Sequence, residues 1–373
     1  MKIVQIMDTL TSTGGVNTFV FDLCIALKKA GQDVSLIGII GDKKQEKNLA
    51  LDVKEAGIPV TCLWMRSKKE AILHGIPKLK IAIQEISGGV PTICNLHLKL
   101  SVLLGALATT GLQNVKCVET YHSQYSKYGL ERVAMSPFIK KYICCSDSAA
   151  QEFLTRFKPK AEKVVSIPNG IDEEQLKRSI EGMPQRNEKR CTFLSVGRFT
   201  DQKNMHVTTA AFSSISSQKM VYKLIGEGPL KEQAIKAAKD SKTVEFLGAV
   251  PRSEVIYSLN CADMVVMPSL WEGLSIFMLE AIAMGCPLMI SDVESLRSVV
   301  NEPPLNVGEK WRRCAWGYLV DTNDEEAYRV AALDFIDNDE LKYAMSSAIG
   351  VFAKEYSIAT TASKYIEVYS AVI

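Results

Sequence analysis

The sequence predicts an α/β protein built from two doubly wound parallel-sheet domains. Short β-rich runs, several apolar on both faces, alternate with amphipathic helical stretches along nearly the whole chain. The alternation stops at a polar, charge-dense segment between Pro168 and Arg190 and then starts again. A length of 373 residues suits two domains of about 150 residues each.

In the first half the strand-like runs are Lys2–Met7, Val34–Ile40, Val60–Leu63, Thr92–Leu96, Lys116–Thr120, Tyr142–Cys145 and Val164–Ile167. The helical stretch Thr18–Ala30 ends at Gly31, as a C-terminal cap does. Pro168-Asn169-Gly170 marks a turn, and Asp172–Arg190 has no apolar period, so it reads as the joint. The second half supplies Thr192–Val196, Tyr222–Ile225, Val244–Leu247, Met264–Met267, Pro287–Ser291 and Tyr318–Val320. Strand–helix alternation implies parallel sheets covered on both faces, whose ligands bind beyond the carboxyl ends of the strands. Two such domains facing each other would place the site in a central cleft.

Composition narrows the class. Hydrophobic residues make up 47% and charged residues 23%, which excludes disordered and collagen-like chains. The net charge of +2 hides an asymmetry: residues 1–160 hold 21 Lys and Arg against 13 Asp and Glu, and the remainder holds 23 against 29. Nucleic acid is therefore not an expected partner. The basic groups Arg66-Ser-Lys68-Lys69 and Lys78-Leu-Lys80 form either a solvated face or a surface for anionic lipid. Ten scattered cysteines without a CxxC pair suit a reducing compartment. With no secretory signal and no apolar run of about 18 residues, the expectation is a soluble, cytoplasmic protein. The histidines His74, His97, His122 and His206 form no close-spaced ligand pair, so no metal is expected.

Three segments could carry chemistry. The loop from Asp8 to Gly14-Gly15-Val16-Asn17 opens a helix; it is either a tight turn or a place where backbone N–H groups meet an anion. It is not a GxGxxG fingerprint, and neither is Gly226-Glu227-Gly228-Pro229, so a nicotinamide enzyme is not indicated. Gly197-Arg198 through Lys203-Asn204 follows a strand and sets two cations where a diphosphate needs donors, unless it is a solvated loop. In the third segment, Pro268 to Gly285, Glu272-Gly273 forms a turn and Ser275 is a helix N-cap. Glu280 lies in an otherwise apolar helical run, where a carboxylate needs a partner. Two carboxylates flanking a phosphate-binding helix end fit a nucleotide sugar.

With these segments in order, the chain resembles family 4 of the retaining glycosyltransferases, whose GT-B fold faces two Rossmann-like domains across a cleft. The resemblance runs from Gly14-Gly15 through Ile167-Pro-Asn-Gly-Ile-Asp172, Gly197-Arg198, Leu224 to Pro229, Phe246-Leu-Gly248, Glu272 to Glu280 and Trp316-Gly317. It implies an acceptor-binding domain over 1–168, a nucleotide-sugar domain over 169–353, and a final helix, 354–373, that packs back on the first domain. By the same resemblance Glu272 contacts donor-sugar hydroxyls and Glu280 the ribose. Arg198 and Lys203 hold the diphosphate, and His122 faces the sugar. Gly15 with Gly273, Leu274 and Ser275 lines the phosphate and sugar pocket; His97 and Glu227 lie near the sugar and the base.

Asn17 stands where the family often carries an acid, and Ser275 replaces a frequent glycine. The implied activity is transfer of a hexose or N-acetylhexosamine from a UDP-sugar to a carbohydrate or lipid-linked acceptor, in cell-surface polysaccharide or glycolipid assembly. It implies no cofactor and no metal, and a location at the inner face of the membrane. A sugar-nucleotide epimerase of the same fold and a non-catalytic nucleotide-sugar-binding subunit are the alternatives.

Overall fold

The computed structural model describes residues 1–11, 14–42, 50–122, 134–184, 188–216, 218–239 and 241–373. Ser12 and Thr13, in the middle of the first glycine loop, lie outside the described residues. The chain divides into two compact units, Met1–Ile171 with Tyr356–Ile373, and Asp172–Glu355.

The strands of the first unit are β1 (Lys2–Thr9), β2 (Asp33–Ile40), β3 (Val60–Met65), β4 (Thr92–Leu96), β5 (Val115–Tyr121), β6 (Ile139–Cys144) and β7 (Val164–Ser166). They form one sheet in the order β3-β2-β1-β4-β5-β6-β7, every pair parallel. Ile3 is opposite Val34 on one side and Ile93 on the other, so β1 is central and its residues 3–7 are buried. Burial on both faces is why these runs read as continuous apolar stretches. The strand order reverses between β1 and β4, and the crevice at such a reversal is where open α/β sheets bind ligands.

The second unit repeats the design. Its strands are β8 (Cys191–Val196), β9 (Met220–Ile225), β10 (Val244–Gly248), β11 (Met264–Met267), β12 (Leu288–Ser291), β13 (Trp311–Cys314) and β14 (Gly317–Val320). The order is β10-β9-β8-β11-β12-β14-β13, with the reversal between β8 and β11. The core rests on aromatic packing: Phe193 lies 4.8 Å from Phe212, which lies 4.4 Å from Tyr222. The Tyr222 hydroxyl is bonded within that core to Ser195 at 2.7 Å and Thr208 at 2.8 Å, as a buried phenol requires.

Two elements differ from the sequence expectation. The charged segment after Asp172 contains a helix, Glu173–Arg178, whose N-cap is the Asp172 side chain. Glu173 pairs with Lys177 and Glu174 with Arg178, and Leu176 alone is buried, so charge pairs four apart hold a turn that no apolar period announces. The second is β13, an antiparallel edge strand on β14 carrying two arginines in four residues. Among the described residues no disulfide joins the ten cysteines, and eight of them are buried. No helix of the described residues is long and apolar enough to cross a membrane.

The pair Gly226 and Gly228 serves the packing of the second unit. Gly226 has φ +140°, and a Cβ there would lie 1.8 Å from the carbonyl oxygen of Gly197. A Cβ on Gly228 would lie 2.4 Å from that of Phe199. The turn after β9 thus lies directly against the loop after β8, which no side chain on either glycine would allow. Gly226→Ala should cost about 3 kcal/mol from left-handed strain and the clash. In a unit of this size that lowers the melting temperature by roughly 6–12 °C. Gly350→Ala, in open space, should leave it unchanged.

Candidate functional site

In the second unit the loops after the adjacent strands β8 and β11 are joined to each other. Leu270 N–H donates to the Gln202 carbonyl at 2.8 Å, and the Gln202 amide donates to the Trp271 carbonyl at 3.0 Å. Asn204 ends the turn Asp201–Lys203 in a left-handed conformation, φ +49°, which asparagine tolerates. That bend brings the Lys203 ammonium onto the Glu272 carboxylate. The same carboxylate accepts from the Ser269 hydroxyl at 2.7 Å, and the Glu272 N–H donates to Ser295 at 3.2 Å. At 5% exposure Glu272 is buried, so the lysine and serine are what keep its charge tolerable.

Gly273, Leu274 and Ser275 follow directly. Ser275 caps the helix Ile276–Ala283, accepting from Met278 N–H at 3.4 Å. Glu280, 2% exposed, pairs with Arg252, the first residue of helix Arg252–Asn260. Arg198 stands exposed, with no ion-pair partner among the described residues. Glu227 pairs with Lys231 at 2.6 Å beside the Gly228 turn.

In the first unit the residues beyond β1, β4 and β5 converge. Helix Gly15–Lys29 begins at Gly14, φ +103°, which has no side chain to cap it. Asn17 is turned to the loop, donating to the Thr11 carbonyl at 2.7 Å and hydroxyl at 2.9 Å. Asp8, at the end of β1, accepts from Ser101 N–H at 2.8 Å and Leu100 N–H at 3.3 Å, capping the helix Lys99–Ala108; burial nonetheless raises its pKa.

His97 and His122 meet with Nδ1 of the former 2.9 Å from Nε2 of the latter, and their rings stack. Nε2 of His97 lies 2.6 Å from Oε1 of the Gln5 side chain. That oxygen also accepts from the Asn95 amide at 3.0 Å, and the Gln5 amide donates to the Tyr369 hydroxyl at 3.1 Å. Burial drives the pKa of His97 well below 6.5, with His122 adding to the effect, and takes that of His122 to about 3. Both rings are neutral, so the proton positions follow. His97 carries its proton on Nε2, facing an acceptor, and its bare Nδ1 accepts from His122 Nε2–H. Nδ1 of His122 is then an acceptor, buried without a hydrogen-bond partner among the described residues.

The structure thus brings Glu272 to Lys203, and His97 to His122, and holds Glu280 separately. Sequence reading missed Gln202, Ser269, Gln5, Tyr369 and Arg252. Only Arg252 had a signal, since a buried Glu280 demands a cation and Arg252 opens the helix after β10. Among the described residues no group of three or more His, Cys, Asp or Glu side chains could hold a metal ion.

The pH dependence of stability follows from the histidines. A pKa lowered on folding means that the unfolded chain takes up protons first, so stability is complete above pH 6.5 and lost progressively down to about pH 3. His122→Gln, which keeps a donor toward His97, should flatten that slope by about 1.4 kcal/mol per pH unit. Denaturant titrations at several pH values check it; equal slopes for the two proteins would refute the assignment.

Comparison with known proteins finds relatives of both halves of the chain. Residues 177–349 match the family described as Glycosyl transferases group 1, and residues 13–175 match Glycosyltransferase Family 4. Alpha-monoglucosyldiacylglycerol synthase of Streptococcus pneumoniae is 28% identical over 241 residues, 56% of this chain and 54% of that protein. The chain thus spans about half the length of that relative. Phosphatidyl-myo-inositol mannosyltransferase of Mycolicibacterium smegmatis is 23% identical over 371 residues, 96% of this chain and 90% of that one. Among solved structures, Anabaena HepE in complex with UDP and glucose superposes with a TM-score of 0.79 at 16% identity, covering 100% of both chains. That likeness concerns the GT-B fold.

Proposed function

The chain belongs to the glycosyltransferases of group 1 and family 4, and from that premise we propose that it moves a hexose or N-acetylhexosamine from a UDP-sugar to an acceptor hydroxyl with retention at the anomeric carbon. The observation that carries this reading is the arrangement around Glu272: a buried carboxylate tied to Lys203, three residues before the helix N-cap Ser275, with Arg198 exposed on the same loop as Lys203 and without an ion-pair partner among the described residues. HepE bound to UDP and glucose on the same fold supports the choice of donor.

Each residue then has a task. Glu280 accepts from the ribose hydroxyls and Glu272 from hydroxyls of the transferred sugar. As the bond from the anomeric carbon to the diphosphate breaks, negative charge grows on the leaving oxygen, where Arg198, Lys203 and the helix N–H groups stabilise it. These groups supply the positive charge, and the scheme includes no metal or other cofactor. No side chain is a separate nucleophile; the acceptor hydroxyl attacks from the face the diphosphate leaves, and its proton passes to the leaving phosphate. His122, whose Nδ1 is bare, is the first unit's candidate acceptor for a substrate hydroxyl.

The acceptor we infer is lipid-linked, as the names of the synthase and the mannosyltransferase suggest for those relatives. Helix Lys68–Ser87 of the first unit supports it, because Ile72, Leu73 and Ile81 are 53%, 65% and 55% exposed on it. Arg66, Lys68, Lys69 and Lys78 are exposed beside them. Exposed apolar side chains and cations on one helix suit the boundary of an anionic bilayer, each cation contributing about 1 kcal/mol near the surface.

Glu272→Gln and Lys203→Ala should each lower transfer from a UDP-sugar by about 100-fold or more while the fold persists. Product-release assays with and without EDTA test this. Survival of activity in either variant, dependence on an added divalent ion, or turnover of the sugar nucleotide without any acceptor would overturn the scheme. Flotation should show binding to phosphatidylglycerol vesicles that salt or the double change Ile72→Ser and Leu73→Ser abolishes; equal binding to neutral vesicles would refute the lipid surface.

A further inference from the structure

The last helix of the first unit, Ile358–Val372, sends Tyr369 into the sheet, where it is fully buried. Its hydroxyl oxygen lies 3.1 Å from Nε2 of Gln5 and 2.9 Å from Nδ2 of Asn95. Gln5 and Asn95 are paired across β1 and β4, with Nδ2 of Asn95 3.0 Å from Oε1 of Gln5. Oδ1 of Asn95 accepts from the Thr120 hydroxyl at 3.0 Å, and that hydroxyl meets the Tyr365 hydroxyl at 3.3 Å. Gln5, Asn95, Thr120, Tyr365 and Tyr369 are all buried, so each of their bonds must be made within the protein.

Turning a side-chain amide over exchanges its oxygen for its nitrogen with little change of shape, so one amide alone has no fixed polarity. Gln5 and Asn95 bond to each other, and they must therefore turn over together or set like atoms face to face. Tyr369 breaks the tie. A phenol oxygen can receive from two N–H groups, but its single proton can be given to only one oxygen. Turned over, both amides would aim oxygens at Tyr369, and one of those contacts would hold no proton. In a buried core water cannot relieve that contact. Both nitrogens therefore face Tyr369, and Oε1 of Gln5 faces Asn95 and His97.

We propose that Tyr369 is a positioning residue that sets the proton polarity of the first unit's site, so that His122 meets its ligand only as an acceptor and selects a hydroxyl over a carbonyl or phosphate oxygen. The polarity passes along the contacts in order. Oε1 of Gln5 can only accept, so Nε2 of His97 carries that ring's proton. The bare Nδ1 of His97 then takes the proton of His122 Nε2, 2.9 Å away. This leaves Nδ1 of His122 bare and buried, without a partner among the described residues. A ligand O–H would complete it, whereas a second acceptor would be repelled. The choice of hydroxyl rests on His122 being a substrate contact; the polarity itself does not.

The test is long-range proton–nitrogen NMR of the 15N-labelled full chain near neutral pH, which separates bare from protonated ring nitrogens. Four histidines are few enough to assign by replacing each in turn. In the unaltered protein His97 and His122 should both carry the proton on Nε2. Tyr369→Phe should move the Nδ1 signal of His122 toward the protonated position. Tyr365→Phe, the same change on the same helix, should leave it in place, which separates lost polarity from lost packing. Gln5→Leu, which removes the oxygen facing His97, should also release the pattern. A proton on Nδ1 of His122 in the unaltered protein would overturn the proposal, as would an unmoved pattern in both Tyr369→Phe and Gln5→Leu. Tyr369→Phe should also lower transfer from a UDP-sugar about tenfold, the worth of one hydrogen bond, with the affinity for UDP unchanged. Undiminished transfer by a variant whose His122 pattern has moved would overturn the selection of a hydroxyl. An unaltered protein that transfers no sugar would refute the sugar-nucleotide reading, and the NMR pattern would still decide the polarity.

Discussion

The candidate site of the second unit is organised around the contact between Lys203 and Glu272. That contact joins loops that follow neighbouring strands, at the point where the sheet order reverses. A carboxylate this buried would be costly alone, and the lysine supplies the opposite charge while Ser269 fills another acceptor position. The backbone bond from Leu270 to Gln202, and the bond from the Gln202 side-chain amide to the Trp271 carbonyl, keep the two loops together beside the ion pair. Charge is thereby set in place before any ligand arrives, which is what electrostatic stabilisation of a leaving group requires.

The first unit reaches a similar rigidity by hydrogen bonding instead of charge. Gln5, Asn95, Thr120 and His97 come from three adjacent strands and the loop after β4, and all are buried. Tyr365 and Tyr369, from helix Ile358–Val372, complete the set: Tyr369 receives bonds from Gln5 and Asn95, and Tyr365 meets Thr120 at 3.3 Å. Polar side chains in an α/β core are tolerated only when such bonding is nearly complete. Here the chain's last helix supplies the partners, so a segment more than 200 residues from His122 helps decide on which nitrogen its proton sits.

Most of the sheet architecture could be read from periodicity, because central parallel strands are buried on both faces and leave uninterrupted apolar runs. The exceptions have local causes. Helix Glu173–Arg178 is held by a cap and paired charges with one buried leucine, so it carries no hydrophobic signal. Strand β13 lies at an edge, where Arg312 and Arg313 reach Glu309 and Asp334, and it reads as a polar loop. The N-cap role of Ser275 was legible because a cap is set by its neighbours in sequence.

The candidate site divides along the same line. Sequence by itself determined the fold class and the loops at the carboxyl ends of the strands, since these depend on spacing and local chemistry, whereas the grouping of Glu272 with Glu280 rested on the family resemblance. Only tertiary structure decided that Lys203 reaches Glu272, that Arg252 rather than a nearer residue answers Glu280, and that Gln5 orients His97. Those contacts join residues 28 to 92 positions apart. They exist only once the strands are laid side by side, because the order of strands in a sheet is not their order in the chain.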